Sequence, residues 1–129
     1  MNQQTQNRII VLIGDDTEAK DKLIRIITRG KESAHIDRYD YDSKKKNYWH
    51  NFIEKTTEVV VFENQNIKND KLVNFFDMYS HGISVQRTEN SDLFKIRPLI
   101  IINALVWDKA PYQGASFTER FDFFNLQKL

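Results

Sequence analysis

The sequence predicts an α/β domain: a mostly parallel sheet flanked by helices, with a β-hairpin set into its second half. Three observations carry that prediction. Ile9 to Ile13, Val59 to Phe62 and Leu99 to Ile102 are short runs without a polar residue and rich in β-branched side chains, as strands buried on both faces are. Segments between them space their apolar residues three and four apart, the period of a helix lying on a surface. Ile83 and Val85, then Phe94 and Ile96, alternate with polar residues on either side of Glu89-Asn90-Ser91-Asp92, which is the pattern of a hairpin. Parallel buried strands need crossover connections, and helices supply them with a right-handed turn.

Taken in order, Met1 to Asn7 is polar and rich in Gln and Asn, and reads as a disordered leader (1–7) before a single domain over 8–129. Ile9 to Ile13 is closed by Gly14. A helix is expected next, with Thr17 as N-cap, Glu18 and Asp21 in the acid-favouring first turn, an apolar stripe through Ala19, Leu23, Ile26 and Ile27, and a stop at Gly30. His35 to Tyr41 alternates as a strand, and Asp42 to Lys46 reads as a charged turn. Trp49, Phe52 and Ile53 have the spacing of a second, short helix. The run Val59 to Phe62 is expected to end at Glu63, Asn64, Gln65 and Asn66, which are turn-forming residues. Leu72, Val73, Phe75, Phe76 and Tyr79 mark a third helix stopped by Gly82. After the strand Leu99 to Ile102 and a loop holding Pro111 and Gly114, the segment Phe117 to Leu126 closes the chain.

Composition narrows the chemistry. At 129 residues and 40% apolar, the chain can bury one core but has no room for a second catalytic domain. The absence of cysteine removes disulfides, thiolate nucleophiles, Cys-type zinc sites and iron–sulfur clusters. A net charge of +1 supplies no global field for nucleic acid or an anionic membrane. No apolar run approaches the ~20 residues of a bilayer helix, and no basic-then-apolar leader is present, so a cytoplasmic protein is expected. His35, His50 and His81 show no ligand spacing, and no metal site is expected. The serines lack a Gly-x-Ser-x-Gly elbow, which leaves nucleophilic catalysis unsupported. Lys44-Lys45-Lys46 beside Tyr48 and Trp49 mixes cations with rings as single-strand binders do, but the helical spacing of Trp49 assigns it to the core.

In an open parallel sheet, ligands bind beyond the carboxyl ends of the strands, which singles out Gly14 to Lys20, Glu63 to Asn66 and Asn103 to Leu105. The first of these reads Gly14-Asp15-Asp16-Thr17-Glu18-Ala19-Lys20-Asp21. Strand, loop and helix with Gly14 and Lys20, a strand ending in Glu63, a strand ending in Asn103 and the terminal Phe117 to Leu126 follow one another as in P-loop NTPases. Over about residues 8 to 126 the chain resembles most the superfamily 3 helicase domains of small viral and plasmid replication initiators, and related phage or mobile-element ATPases. That resemblance implies a three-layer P-loop NTPase-like fold with the nucleotide near Gly14, Lys20 and Asp21. It also implies Lys20 as the Walker A lysine, Glu63 as the Walker B acid, Asn103 as the sensor and Arg120 as the arginine of the C-terminal segment. In the hairpin, Arg87, Lys95 and Arg97 would contact single-stranded DNA.

The departures shape the expectation. Ala19 stands in place of the second glycine of the loop, Asp21 in place of its hydroxyl residue, and Asn64 in place of a second acid. Asp15, Asp16, Glu18 and Asp21 surround with negative charge a loop meant for anions. The chain is therefore expected to be a degenerate, non-hydrolysing binding or assembly module linked to DNA replication, without a cofactor, though ATP and magnesium would belong to the ancestral type. Its partners would be a second copy of itself or a replication protein, with weak binding of single-stranded DNA. A weak ATPase and a nucleic-acid accessory protein without nucleotide are the alternatives. Each feature also has an ordinary reading: Lys20 as a surface helix partner, the acids as a dipole-favoured first turn or a cation site, and the hairpin cations as the wet side of a half-buried hairpin.

Overall fold

The computed structural model describes residues 9–37, 49–67, 75–86, 93–107 and 120–128. In chain order the elements are β1 (Ile9–Ile13), α1 (Thr17–Thr28), β2 (Ser33–Asp37), a 3-10 turn at His50–Phe52, β3 (Val59–Ile67), β4 (Ile83–Val85), β5 (Phe94–Ile96), β6 (Leu99–Trp107) and β7 (Phe121–Asn125). Residues 75–79 are helical. The fold is mixed α/β, and its main sheet has five strands in the order β2-β3-β6-β1-β7, with every neighbouring pair parallel. The three all-apolar runs of the sequence form its centre. β4 and β5 pair antiparallel in a separate two-stranded sheet, Ile83 opposite Ile96 and Val85 opposite Phe94.

Alternation along the central strands sends successive side chains to opposite faces, and both faces are covered. On one face α1 lays Leu23, Ile24 and Ile27 against Leu12, Val59, Val61 and Ile101. On the other, Val11, Val60, Phe62 and Ile102 meet Trp49, Ile53, Phe75, Phe76 and Tyr79. Phe62 is the hub of that second layer. Trp49 and Phe75 set their rings nearly perpendicular to it at centroid distances of 5.3 and 4.9 Å, the edge-to-face arrangement that ring quadrupoles favour. His50 seals the margin: its Nδ1 accepts from the Gln86 amide at 3.1 Å, and burial lowers its pKa, keeping the ring neutral.

Several boundaries differ from the sequence reading. β3 does not stop before Glu63 but runs on to Ile67, and β6 runs past Ile102 to Trp107. The cause is their mutual pairing, Glu63 with Asn103, Asn66 with Val106 and Ile67 with Trp107, with register shifts around Gln65. A ladder that satisfies backbone groups overrides the turn preference of Asn and Gln. Asp16, not Thr17, caps α1, its Oδ1 accepting from the Ala19 amide at 3.1 Å. The buried stripe of α1 contains Ile24, 4% exposed, whereas Ile26 is 63% exposed. Trp49 and Ile53 are buried as expected, but the segment between them makes a single 3-10 turn and leaves Phe52 exposed. The alternating strand around His35 begins earlier, at Ser33, and is described as far as Asp37. Its predicted continuation to Tyr41 lies outside the described residues, as do the 1–7 leader, Asp42 to Lys46, Leu72, Val73, the Pro111 and Gly114 loop and Phe117 to Glu119.

The rotation of α1 is testable. Ile24→Ala is expected to lower unfolding free energy by about 2 to 5 kcal/mol, and Ile26→Ala to change it by no more than about 0.5 kcal/mol. Urea denaturation of the two variants reads this directly, and equal losses would contradict the helix orientation.

Candidate functional site

Gly14, Asp15 and Asp16 are all that separates β1 from α1. Gly14 has φ +112°, and a Cβ there would collide with the Leu126 carbonyl oxygen, so only glycine fits. The end of the chain crosses this loop. Leu126 N donates to Ile13 O at 2.7 Å, Leu126 O accepts from Asp16 N at 3.0 Å, and Lys128 N donates to Asp15 Oδ1 at 2.8 Å. Within the first turn Thr17 N donates to Asp15 O, Ala19 N to Asp16 Oδ1 and Lys20 N to Asp16 O. Of the amides that a helix N-terminus would offer an anion, those of Asp16, Thr17, Ala19 and Lys20 are thus bonded within the chain.

Lys20 lies one turn into α1 and faces the sheet. It is only 3% exposed, and its Nζ donates to the Ala104 carbonyl of β6 at 3.1 Å. Burial pushes its pKa below 10.5, while the nearby Asp21 and Asp15 carboxylates pull the other way. This corrects the reading of Lys20 as an exposed helix partner: α1 starts early enough that its first full turn brings this side chain round to the sheet. Asp21, the neighbouring residue, stays half-buried at the surface.

Glu63 and Asn103 occupy the same register row, with Asp37 beside Glu63 and Leu12 beside Asn103. Because Leu12, Val61 and Ile101 pack under α1, alternation puts Glu63 and Asn103 on that same face. Glu63 Oε2 pairs with His35 Nδ1 at 3.0 Å. Asn103 is 9% exposed, and its Oδ1 accepts no hydrogen bond from any described residue. A buried acceptor left without a donor costs about 1–3 kcal/mol. Sequence reasoning missed His35, Asp37, the Ala104 carbonyl and Leu126. The alternation from His35 onward placed His35 on a strand, but no local signal says which strand lies next to it.

Lys20, Glu63, Asn103 and Gly14 therefore gather at the carboxyl end of the central strands. Arg120 does not join them. It sits at the amino end of β7, where its carbonyl accepts from Ile9 N at 3.0 Å and its guanidinium lies over Phe76, 5.3 Å from the ring centroid. The length of β1, about 13 Å, separates it from Gly14. Lys95 and Arg97 are exposed, their stems running beside Gly82, while Arg87 lies outside the described residues. Among the described residues no group of three or more His, Asp or Glu is arranged to hold a metal ion, and no helix is long and apolar enough to cross a membrane.

These residues do not fit a bound triphosphate with magnesium as they stand. The lysine is bonded to Ala104, the loop amide of Asp16 to Leu126, and Asp15, Asp16 and Asp21 would oppose phosphate charge. No protein-family model matches the chain, and no curated protein matches it significantly.

The buried ammonium has a pH signature. A lysine whose folded pKa is lowered binds its proton more readily when unfolded, so stability rises with pH between that lowered value and 10.5. Relative to a Lys20→Met variant, the wild type is expected to gain stability across that window, with a constant difference below it. Urea unfolding from neutral pH up to 10.5 measures this; a difference that stays flat throughout would show that the ammonium is solvated.

Proposed function

We propose that this chain is a degenerate P-loop NTPase-like domain, of the kind carried by phage and mobile-element replication proteins, acting as a non-hydrolysing binding or assembly module. Two features support the P-loop type. β1, followed by Gly14 and α1, lies beside β6 with Asn103, and β6 lies beside β3 with Glu63, so the strands of the resemblance are neighbours in one parallel sheet. Asn103 and Glu63 are also level with each other in register. The observation that carries the non-hydrolysing half is the Lys20 bond to Ala104: a lysine 3% exposed and held by a strand carbonyl is not presented to a ligand's phosphates. The link to DNA replication rests on the sequence resemblance.

A second reading, a nucleic-acid accessory protein without nucleotide, draws on Lys95 and Arg97, which stand exposed on either side of Ile96, itself turned to the core. Both readings share the absence of turnover.

Calorimetry with ATP and magnesium is expected to show no binding tighter than about 100 μM, with no phosphate released and the same trace for Lys20→Ala. Micromolar binding abolished by Lys20→Ala would overturn the reading of Lys20 as closed to a ligand's phosphates, and released phosphate would overturn the non-hydrolysing assignment.

A further inference from the structure

The outer face of α1 carries charge that the carboxyl-end cluster does not use. Each helical residue turns the chain by about 100°, so Lys22, Arg25, Ile26 and Arg29 share one stripe while Lys20, Leu23, Ile24 and Ile27 turn to the sheet. All four stripe residues are exposed, Ile26 by 63%. With Thr28 they line a groove of about 470 Å³. None of the three cations forms an ion pair with any described residue. Two acids border the stripe on α1, Glu18 one turn before Lys22 and Asp21 one turn before Arg25, and both precede its arginine pair.

The helix dipole favours cations in a last turn, which accounts for Arg25 or Arg29 singly. An acid one turn earlier, Glu18, accounts for Lys22, but neither effect accounts for two arginines one turn apart or for an isoleucine left in water among the three cations. A ligand with repeated negative charge and some apolar surface accounts for both. Arg25 and Arg29 are one turn apart, about 6 Å along the axis, and their planar forks pair with phosphate oxygens two at a time. Lys22 extends the row to about 10 Å, a row of charge that an extended sugar–phosphate backbone can follow, and Ile26 offers a resting surface to an unstacked base or sugar. An acidic partner helix is less well matched, because such helices dock through apolar anchors repeated at i, i+3, i+4 and i+7, and this stripe holds one apolar residue.

We propose that the outer face of α1, through Lys22, Arg25 and Arg29 around Ile26, is a docking surface for the phosphate backbone of a single-stranded nucleic acid. The proposal stands on α1 alone and does not rest on the nucleotide-site reading. The test is fluorescence anisotropy with a labelled oligothymidylate at low salt, using the full chain. Three phosphate contacts are expected to give a log–log salt slope near about −2. Arg25→Ala/Arg29→Ala is expected to weaken binding at least about tenfold and to cut the slope to about −0.7. Lys95→Ala/Arg97→Ala, on the two-stranded sheet, is expected to bind within about twofold of wild type. All three positions of the stripe are exposed, and an unchanged thermal midpoint verifies that the variants fold. No binding by the wild type, equal binding by wild type and the α1 variant, or loss confined to the Lys95/Arg97 variant would each overturn the proposal. Polyglutamate bound more tightly than the oligonucleotide would overturn it in favour of an acidic protein segment.

Discussion

Desolvation of both faces of β1, β3 and β6 is the constraint on which the rest of the structure depends. Val11, Val59, Val60, Val61, Phe62, Ile101 and Ile102 are sealed from solvent. A strand with no wet side needs a packed layer above and below it, and parallel neighbours reached through crossovers are the arrangement that supplies both. The edge strand β2 shows where that demand ends. Its Ala34 and Ile36 point into the aromatic layer and are buried, while His35 and Asp37, on the face of α1, are exposed. One helix covers the middle of that face, and the β2 margin beyond it is left to polar side chains.

The same constraint governs the carboxyl end. Once β3 and β6 are held side by side through their apolar halves, the ladder continues into their polar halves and draws Glu63 and Asn103 into regular strand. Asn103 is then buried by position, not by hydrophobicity. Lys20 follows a parallel logic, since a helix that must press Leu23, Ile24 and Ile27 onto the sheet also presses the residue one turn earlier toward it. A carbonyl from β6 meets the ammonium there, which is the minimum that a buried cation requires. At the loop, the closing strand β7 extends its pairing with β1 by one residue, and the Leu126 carbonyl takes the Asp16 amide. Structural satisfaction and ligand binding compete for the same backbone groups, and in this fold Leu126 holds the amide of Asp16.

α1 is thus a helix of two characters. Its inner side completes a core and encloses a lysine; its outer side shows cations around an isoleucine that no described residue covers. An aliphatic side chain in water is ordinary when isolated. Its meaning here comes from the three cations that frame it.

By itself the sequence determined the class of fold and the location of its core. Runs such as Val59 to Phe62 are legible because burial on two faces forbids polar residues at consecutive positions, and a parallel sheet follows from their separation by helix-period segments. It also marked Gly14, Lys20, Glu63 and Asn103 as residues following apolar runs, which the sheet brings to one end. The path of the loop from Gly14 to Lys20 was not legible, because it depends on Leu126, more than a hundred residues away. Ile24 and Ile26 are equivalent to a periodicity count, and only the docking of α1 chose between them. The extension of β3 and β6 through Asn and Gln, the His35 partner of Glu63 and the remoteness of Arg120 were decided in the same way. Each is set by which strands stand side by side, a long-range pairing whose energy lies in backbone ladders and shared core and leaves no mark on neighbouring residues in the chain.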